Sequence, residues 1–447
     1  MSKIIKIKKG VNISLVGQAE KMITKSATAN LYALVPSQFM GVTPKMLVQQ
    51  GDRVKIGQPI FFDKEHTSVL FTSPVAGTIQ EIVRGDKRKI MAITIAPDGT
   101  KDSVEFAKLD SNSPIELIRQ TLLDSGLWPS LIQRPFGFIA ATDVTPRDIF
   151  ITGIDTAPLA ADLNFLVQDE SANVSRGVEI LSRLTSGKVH LTVGFETTAG
   201  TLANVKSAEI HHIQGPHPAG NVGTQIAAIA PISKGDIVWT IGIQHVAMIG
   251  RLAATGHVDF SKLMALSGSM VKKPHYYRTI CGAPIASIVE GNLKDGTIRL
   301  INGNPLSGTK VDPACYVSYY ANEVVALPEG DNYEFLGWAM PRCHKLSLSK
   351  SYFSWLTPHK NFDLDTNLNG GVRALVVNDI YNRVMPLDIY PVYLLKAIMA
   401  DDIDKMENLG IYEVLEEDFA LCEFVCPSKI EWQYTLRQGI NKMIKEL

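Results

Sequence analysis

Cys422 and Cys426 are separated by Glu-Phe-Val and followed by Pro427, the spacing of the last two thiolates in the ferredoxin run C-x2-C-x2-C-x3-C-P that holds iron-sulfur clusters. Counting back, the other two ligands of that run would stand at 416 and 419, which are Glu416 and Phe419. Two thiolates cannot hold a four-iron cluster, and Cys281, Cys315 and Cys343 lie about 80 residues or more upstream. The pair is an incomplete copy of the motif or a chance pair of buried cysteines. A phosphate site in an α/β domain needs a glycine-rich strand-to-helix turn whose N–H groups can approach the ligand. Neither G-x-G-x-x-G nor G-x-x-x-x-G-K-[ST] occurs, and the glycine cluster Gly215 to Gly223 carries Pro216 and Pro218, which remove donors. A structural turn fits that cluster better. His211, His212 and His217 invite a metal reading, but adjacent residues in a strand point to opposite faces, so at most one of the first two joins His217. No metal site and no Ser/His/Asp or Cys/His arrangement is expected.

Most of these residues sit among elements that the sequence outlines. The first hundred residues are β-rich, with turns at Gly51-Asp52 and Gly57-Gln58 and short strand runs around them. "GDRVKIGQPI" and "TSPVAGTI" resemble the two halves of the biotinyl/lipoyl carrier fold, a flattened β-barrel. Carriers bear an acylated lysine in the hairpin between the halves. Eight residues before Pro74 stands His66, with Lys64 two residues away, so the expectation is a carrier-like scaffold without a swinging arm.

From about residue 112 the pattern becomes β/α. Ser113-Pro114 opens a helix with Ser as cap and Pro at the first helical position, and Asp148 to Ile154 is a buried strand. Val174 to Leu184 has helical periodicity, Lys188 to Gly194, Ala208 to Ile213 and Ile237 to Ile241 are strand-like, and Gln244 to Thr255 is a helix closed by Gly256. This alternation argues for a three-layer α/β domain with a mainly parallel sheet. Short strands and Asp295-Gly296, Asn302-Gly303 and Ser307-Gly308 turns suit a β-grasp module, with a short helix over Pro284 to Val289. Tyr393 to Ala400 and Glu431 to Ile444 are helical, and Thr357 to Gly371 is a polar loop. The division expected is 1–110 for the carrier-like β domain, 111–260 for a Rossmann-like α/β domain, 261–345 for the β-grasp module and 346–447 for a mainly helical region.

Composition limits what these domains can be. With 44 basic and 45 acidic side chains among 447 residues, the chain has no general attraction for nucleic acid. The longest stretch without a charge, Ile210 to Ser233, holds three prolines and three glycines and is not a membrane span. Five cysteines are too few and odd for a disulfide framework, and the N-terminus lacks the apolar core of an export signal, which points to the cytoplasm. Six lysines in residues 1–25 and eight acids in 401–418 are solvated faces or docking surfaces.

Over essentially its whole length the chain resembles the family of the A subunit of the sodium-translocating NADH:quinone reductase, itself similar to the C subunit of the Rnf complex and the flavin-carrying subunit of complex I. The stretches that carry the resemblance include "RVKIGQPIF", "FTSPVAG", "DSGLWPSLIQRPF" from Asp124, "DTAPLAAD" from Asp155, "GPHPAGNVGT" from Gly215, "LSGTK" from Leu306, "LGWAMP" from Leu336, "VMPLDIYP" from Val384 and "LCEFVCPSK" from Leu421. Flavin-binding relatives carry a G-G-A-G-F-P loop where this chain has Trp128 to Phe136. The resemblance thus implies a redox-subunit scaffold without flavin, in which Cys422 and Cys426 are the remnant of a cluster motif. It further implies a peripheral cytoplasmic subunit, docked on the membrane through the B subunit, that contributes to quinone binding while flavins and an iron-sulfur centre reside in partners. The quinone contacts it implies fall near Leu34 to Val42 and Leu131 to Phe138. Phe39, Met40, Leu131 and Phe136 could supply apolar walls, and Gln38, Gln133 and Arg134 donors to the carbonyl oxygens. The competing readings are a flavin-dependent NADH dehydrogenase subunit with an atypical site, and an acyl carrier modified at Lys64.

Overall fold

The structure is a computed structural model and describes residues 4–446 apart from 333, 338, 339, 341, 349, 358 and 359. Lys3, and Trp338, Ala339 and Pro341 of the "LGWAMP" stretch, lie outside the described residues. Among the described residues the central sheet has seven strands: β1 (Ile4–Lys6), β2 (Ile132–Arg134), β3 (Phe138–Ile139), β4 (Ile149–Thr152), β5 (Val189–Gly194), β6 (Glu209–Gln214) and β7 (Val238–Gly242). Their order is β1-β6-β5-β4-β7-β2-β3, with the first five parallel and the last two antiparallel.

Side chains alternate across this sheet and bury both faces, as a parallel sheet requires. Ile149, Ile151, Leu191, Val193, Trp239 and Ile241 enter one core, whereas Phe150, Ile213, Val238 and Ile5 enter another. On the first face lie helices α1 (Ile115–Asp124), α2 (Ser171–Ser182) and, further along the chain, the long helix Ile243–Thr255; α3 (Val222–Ile229) covers the second face. With Ile243–Thr255 as α4, the three layers expected from the sequence are all present. Helices α2 and α4 cross at van der Waals contact through glycine: a Cβ on Gly250 would lie 1.8 Å from the Asn173 carbonyl oxygen, and one on Gly177 would lie 2.1 Å from that of Val246. Helix α4 ends at Gly256 with φ +76, the left-handed cap that its sequence suggested. Helix α1 begins one residue later than expected, because Ser113 Oγ donates to Asp110 and Pro114 flanks the helix.

The N-terminal barrel is a sandwich of two small sheets, one of Tyr32–Leu34, Arg53–Val54, Gly77–Arg84 and Ile90–Pro97, the other of Pro44–Met46, Pro59–Asp63 and Leu70–Thr72. Val54, Ile60, Phe61, Phe71, Ile79 and Ile93 fill it. Lys64 and His66 occupy the expected connection between Asp63 and Leu70. The barrel does not contain the chain's first two strands. β1 joins the edge of the central sheet, and Glu20–Lys25 pairs with His275–Ile280 in a six-stranded mixed sheet. That sheet, with the short helix Ala286–Val289 against it, forms the β-grasp-like module.

From Ile380 onward the chain is mainly helical. Ile380–Val384, Pro391–Met399, Ile403–Asn408, α5 (Glu416–Val425) and α6 (Trp432–Glu446) pack around Tyr381, Phe419, Trp432 and Leu436. The acidic segment 401–418 is not one solvated face. Its last acids are ion-paired on α5, where Glu416 pairs with Arg437 and Glu417 and the buried Asp418 pair with Arg134. Three adjacent carboxyl groups at one helix start become tolerable because two arginines from other elements meet them. No described helix is long and apolar enough to cross a membrane.

Candidate functional site

The chain leaves β4 toward β5 and β6 on one side of it, and β7 returns on the other. In open α/β sheets ligands bind outside the carboxyl ends of the strands at such a reversal. A cavity of about 210 Å³ lies there, at Thr152 of β4 and Thr240 to Gly242 of β7, with Ile132 and Ser130 on one side and Tyr320 on another. Asp155, His217 and Glu417 supply its ionisable wall.

The polar groups of this wall are held by short bonds. Asp155 Oδ1 accepts from Ala157 N at 2.8 Å, and burial raises its pKa. His217 Nδ1 stands 3.1 Å from Thr156 Oγ1, which accepts from Gly220 N at 2.8 Å. Burial pushes the imidazole down to about 4, so it is neutral at pH 7. Burial also lifts Glu417, against the pull of Arg134, and Asp418 and Asp155 add to the rise. Deeper in, Glu323 Oε2 accepts from Ala161 N at 3.2 Å, and its pKa is pushed up to about 8 by burial and by Asp155. Two buried carboxyl groups, Glu323 and Asp418, and two partly buried ones, Asp155 and Glu417, thus lie in a region with two buried cations, Arg134 and Lys262. Lys262 is turned away by the carbonyls of Tyr319, at 3.0 Å, and Ala321, at 2.5 Å. Like charges at this depth keep part of the set protonated near neutrality.

The same geometry disposes of a phosphate nest. In the loop before α3 the N–H groups of His217, Ala219, Gly220 and Asn221 donate to Asn12, Pro216, Thr156 and Pro218. The N-terminus of α3, where an anion would bind, meets Asp418 instead: a Cβ on Gly223 would lie 2.4 Å from Asp418 Oδ1.

The seven residues expected to contact quinone separate into two groups. Gln38 Oε1 accepts from Tyr319 N at 3.1 Å, and the Phe39 ring packs on Phe71, Tyr319 and Tyr320. Both line a crevice of only about 20 Å³, and Met40 beside them is 45% exposed. Leu131 is wholly in the core, and Gln133 Oε1 accepts from Ala141 N at 3.2 Å. Arg134 is engaged by Glu417 at 2.6 Å and Asp418 at 3.2 Å. Phe136 stacks on Phe138 and meets Tyr412 edge to face, and its carbonyl accepts from Arg437. The link between the groups is Tyr319-Tyr320: the first lines the crevice, and the second lines the cavity and donates its hydroxyl to Pro129 O at 2.7 Å. Neither tyrosine, nor Glu323, has a motif that singles it out. Asp155 and His217 lie in two of the stretches that carried the family resemblance.

Cys422 and Cys426 are buried with Tyr381, Phe419 and Trp432, and Tyr381 Oη lies 3.2 Å from Cys426 Sγ. Phe419, at the position of a third ligand, fills that core, while Cys281 belongs to a different one. His211 does not turn to His217; its Nε2 lies 3.0 Å from His190 Nδ1.

A doubly wound sheet whose switch point holds a carboxyl-walled cavity, flanked by a barrel-sandwich and a β-grasp-like module, defines a multidomain α/β and α+β protein. The chain belongs to the NqrA family, the A subunits of the Na(+)-translocating NADH-quinone reductases. Three family models match in succession: the NqrA N-terminal barrel-sandwich hybrid domain over residues 5–98, the NqrA second alpha/beta domain over 114–258 and the NQRA C-terminal domain over 263–312. The A subunit of Neisseria meningitidis FAM18 is 40% identical over 99% of this chain and 100% of its own length, and that of Pasteurella multocida Pm70 is 40% identical with the same coverage. The Rhodopirellula baltica protein is 37% identical over 99% of this chain and 98% of its own.

Proposed function

We propose that this chain acts as a peripheral subunit of a Na(+)-translocating NADH:quinone reductase, on the cytoplasmic side of the bacterial inner membrane, where it holds a quinone head group and carries no flavin or iron-sulfur cluster of its own. The observation that carries this reading is the switch-point cavity with its protonatable wall. A carbonyl oxygen needs hydrogen-bond donors, and Asp155 and Glu417, which line the cavity and have raised pKa values, become donors when they take up a proton. A flavin or nucleotide phosphate finds carboxyl groups and spent N–H donors there instead. The volume, below the roughly 300–1,000 Å³ of sites that enclose a drug-sized ligand, suits a single ring with its tail outside. In this reading Leu131, Gln133, Arg134 and Phe136 set the rim in place, whereas Gln38, Phe39 and Met40 act through Tyr319 and Tyr320.

Sodium movement, flavins and the iron-sulfur centre then belong to partner subunits, with the B subunit in the membrane as the anchor. A run of exposed apolar side chains supports such docking: Phe353, Trp355, Leu356, Val372, Val376 and Val377 stand in or beside the polar loop and are each largely solvent-facing. The experiment is a titration of the purified chain with a short-tailed quinone, followed by the fluorescence of the buried Trp128–Trp239 pair. Saturable quenching, at least tenfold weaker in Glu417→Gln, is the expected result, with no flavin absorbance in the starting protein. Bound flavin, or quenching indifferent to Glu417→Gln, would overturn it.

A further inference from the structure

At the other end of the central sheet, His190, Glu209 and His211 form a cluster that the cavity does not use. We propose that these three side chains bind a single divalent ion of the zinc class, with the fourth coordination position open to solvent. The strand register places them together. In the parallel pair β5–β6, His190 stands opposite Glu209, and His211 is two residues on from Glu209, so all three share one face of the sheet. One ligand atom of each lies within 4.8 Å of the others: His190 Nδ1 is 3.0 Å from His211 Nε2 and 3.9 Å from Glu209 Oε2. Ligands at about 2.0–2.2 Å from a tetrahedral zinc ion stand roughly 3.3 Å apart, so these spacings bracket the bound geometry.

Supporting contacts of the kind that metal sites use are also present. His190 Nε2, on the far side of the ring from the cluster, faces Asp148 Oδ1 at 3.5 Å, the carboxylate–histidine–metal arrangement that fixes the tautomer and leaves Nδ1 to the ion. Asp148 is itself fixed, accepting from Lys188 N at 3.0 Å and from Arg147 Nε at 2.9 Å. Phe150 stacks on the His190 ring at 4.8 Å and holds its plane. Both imidazoles are more than nine-tenths buried, whereas Glu209, bonded to Lys188 Nζ at 2.9 Å, borders an open hollow of about 440 Å³ between the start of β5 and the start of β6. That hollow is the entry path and the place of a fourth, water ligand. Two imidazoles, one carboxylate and a water form a donor set suited to zinc rather than to calcium or magnesium, which take oxygen ligands.

The test uses the untagged full-length chain, stripped with a chelator and titrated with Co(II), whose tetrahedral complexes absorb strongly in the visible. The expected result is one equivalent bound, with visible bands, displaced by Zn(II), and a rise in Tm on adding Zn(II). Glu209→Gln should weaken binding at least tenfold and abolish the rise in Tm, and His211→Asn should do the same where circular dichroism shows it folded. Should His211→Asn fail to fold, Glu209→Gln alone decides, since its side chain sits at the hollow. An absence of visible bands in the wild type, or unchanged stoichiometry and Tm response in Glu209→Gln, would overturn the site and leave a histidine–histidine hydrogen bond in its place.

Discussion

Arg134 and Asp418, 284 residues apart in the chain, meet at 3.2 Å with side chains 2% and 0% exposed. This contact ties β2 to α5, the helix that carries Cys422. Removing one member of a buried pair leaves the other charge uncompensated, at about 3–5 kcal/mol. Arg134→Met should therefore lower the unfolding free energy by that order in urea titration, and Asp418→Asn, which keeps one oxygen acceptor and leaves Arg134 paired with Glu417, by less. Loss of quinone binding in an Arg134 variant is thus interpretable only when folding is measured beside it.

The pH dependence should have two limbs of opposite origin. Glu323 has its folded pKa raised to about 8 by burial and by Asp155, against about 4.3 in an unfolded chain. Between those values the folded state binds the extra proton, so stability is fully present below about pH 4 and is lost as pH rises toward 8, by on the order of a few kcal/mol. His217, pushed down to about 4, and His245, pushed down to about 3, both by burial, do the reverse. Their contribution is present above about 6.5 and is lost as pH falls. Unfolding midpoints measured from pH 5 to 9 should show Glu323→Gln flattening the alkaline limb and His217→Asn the acid one.

Helix packing in the central layer offers a sharper steric case. Gly250→Ala should cost about 1–3 kcal/mol or more, because the new methyl group meets the Asn173 carbonyl and the backbone of α2 must retreat. Gly371→Ala, with open space around it, is the control and should change stability by less than about 0.5 kcal/mol.

The thiols should react in an order set by burial. Cys343 is exposed, whereas Cys422 and Cys426 are buried, and burial raises the Cys422 thiol. Maleimide under native conditions should modify Cys343 first and leave the other two unmodified until denaturant is added, as peptide mass mapping would show.

Much of the scaffold was legible because local signals agreed with the fold. The β5 and β7 runs, the α4 helix with its Gly256 stop, and the carrier-like halves around Gly51 and Gly77 all sit where periodicity and turn chemistry put them. What escaped was set by long-range contact. Helix α5 has three acids in its first turn and no long apolar stripe, and the partner that lets Asp418 be buried is Arg134, far upstream. β1 reads as a strand, but nothing local says that it pairs with β6 rather than within the barrel. His190 is a single histidine in "KVHLTVG", and only the β5–β6 register brings it to Glu209 and His211.

Docking should be salt-resistant if the exposed apolar loop is the contact. Trp355, 51% exposed, is a suitable probe. In membranes carrying the whole complex, Trp355→Asp should release this chain into the supernatant while the wild type stays bound at high salt. Release of the wild type by salt alone would place the contact on the exposed lysines near the N-terminus instead, since ionic docking is screened.

The most direct measurement is photolabelling of the intact complex with a quinone that bears its reactive group on the ring, followed by peptide mapping of this chain. Labels on the peptides that hold Ser130 to Arg134, Tyr320 and Glu417, competed away by unlabelled quinone, are the expected result. Competed labels confined to other peptides of this chain or to partner subunits would contradict a quinone head in the switch-point cavity.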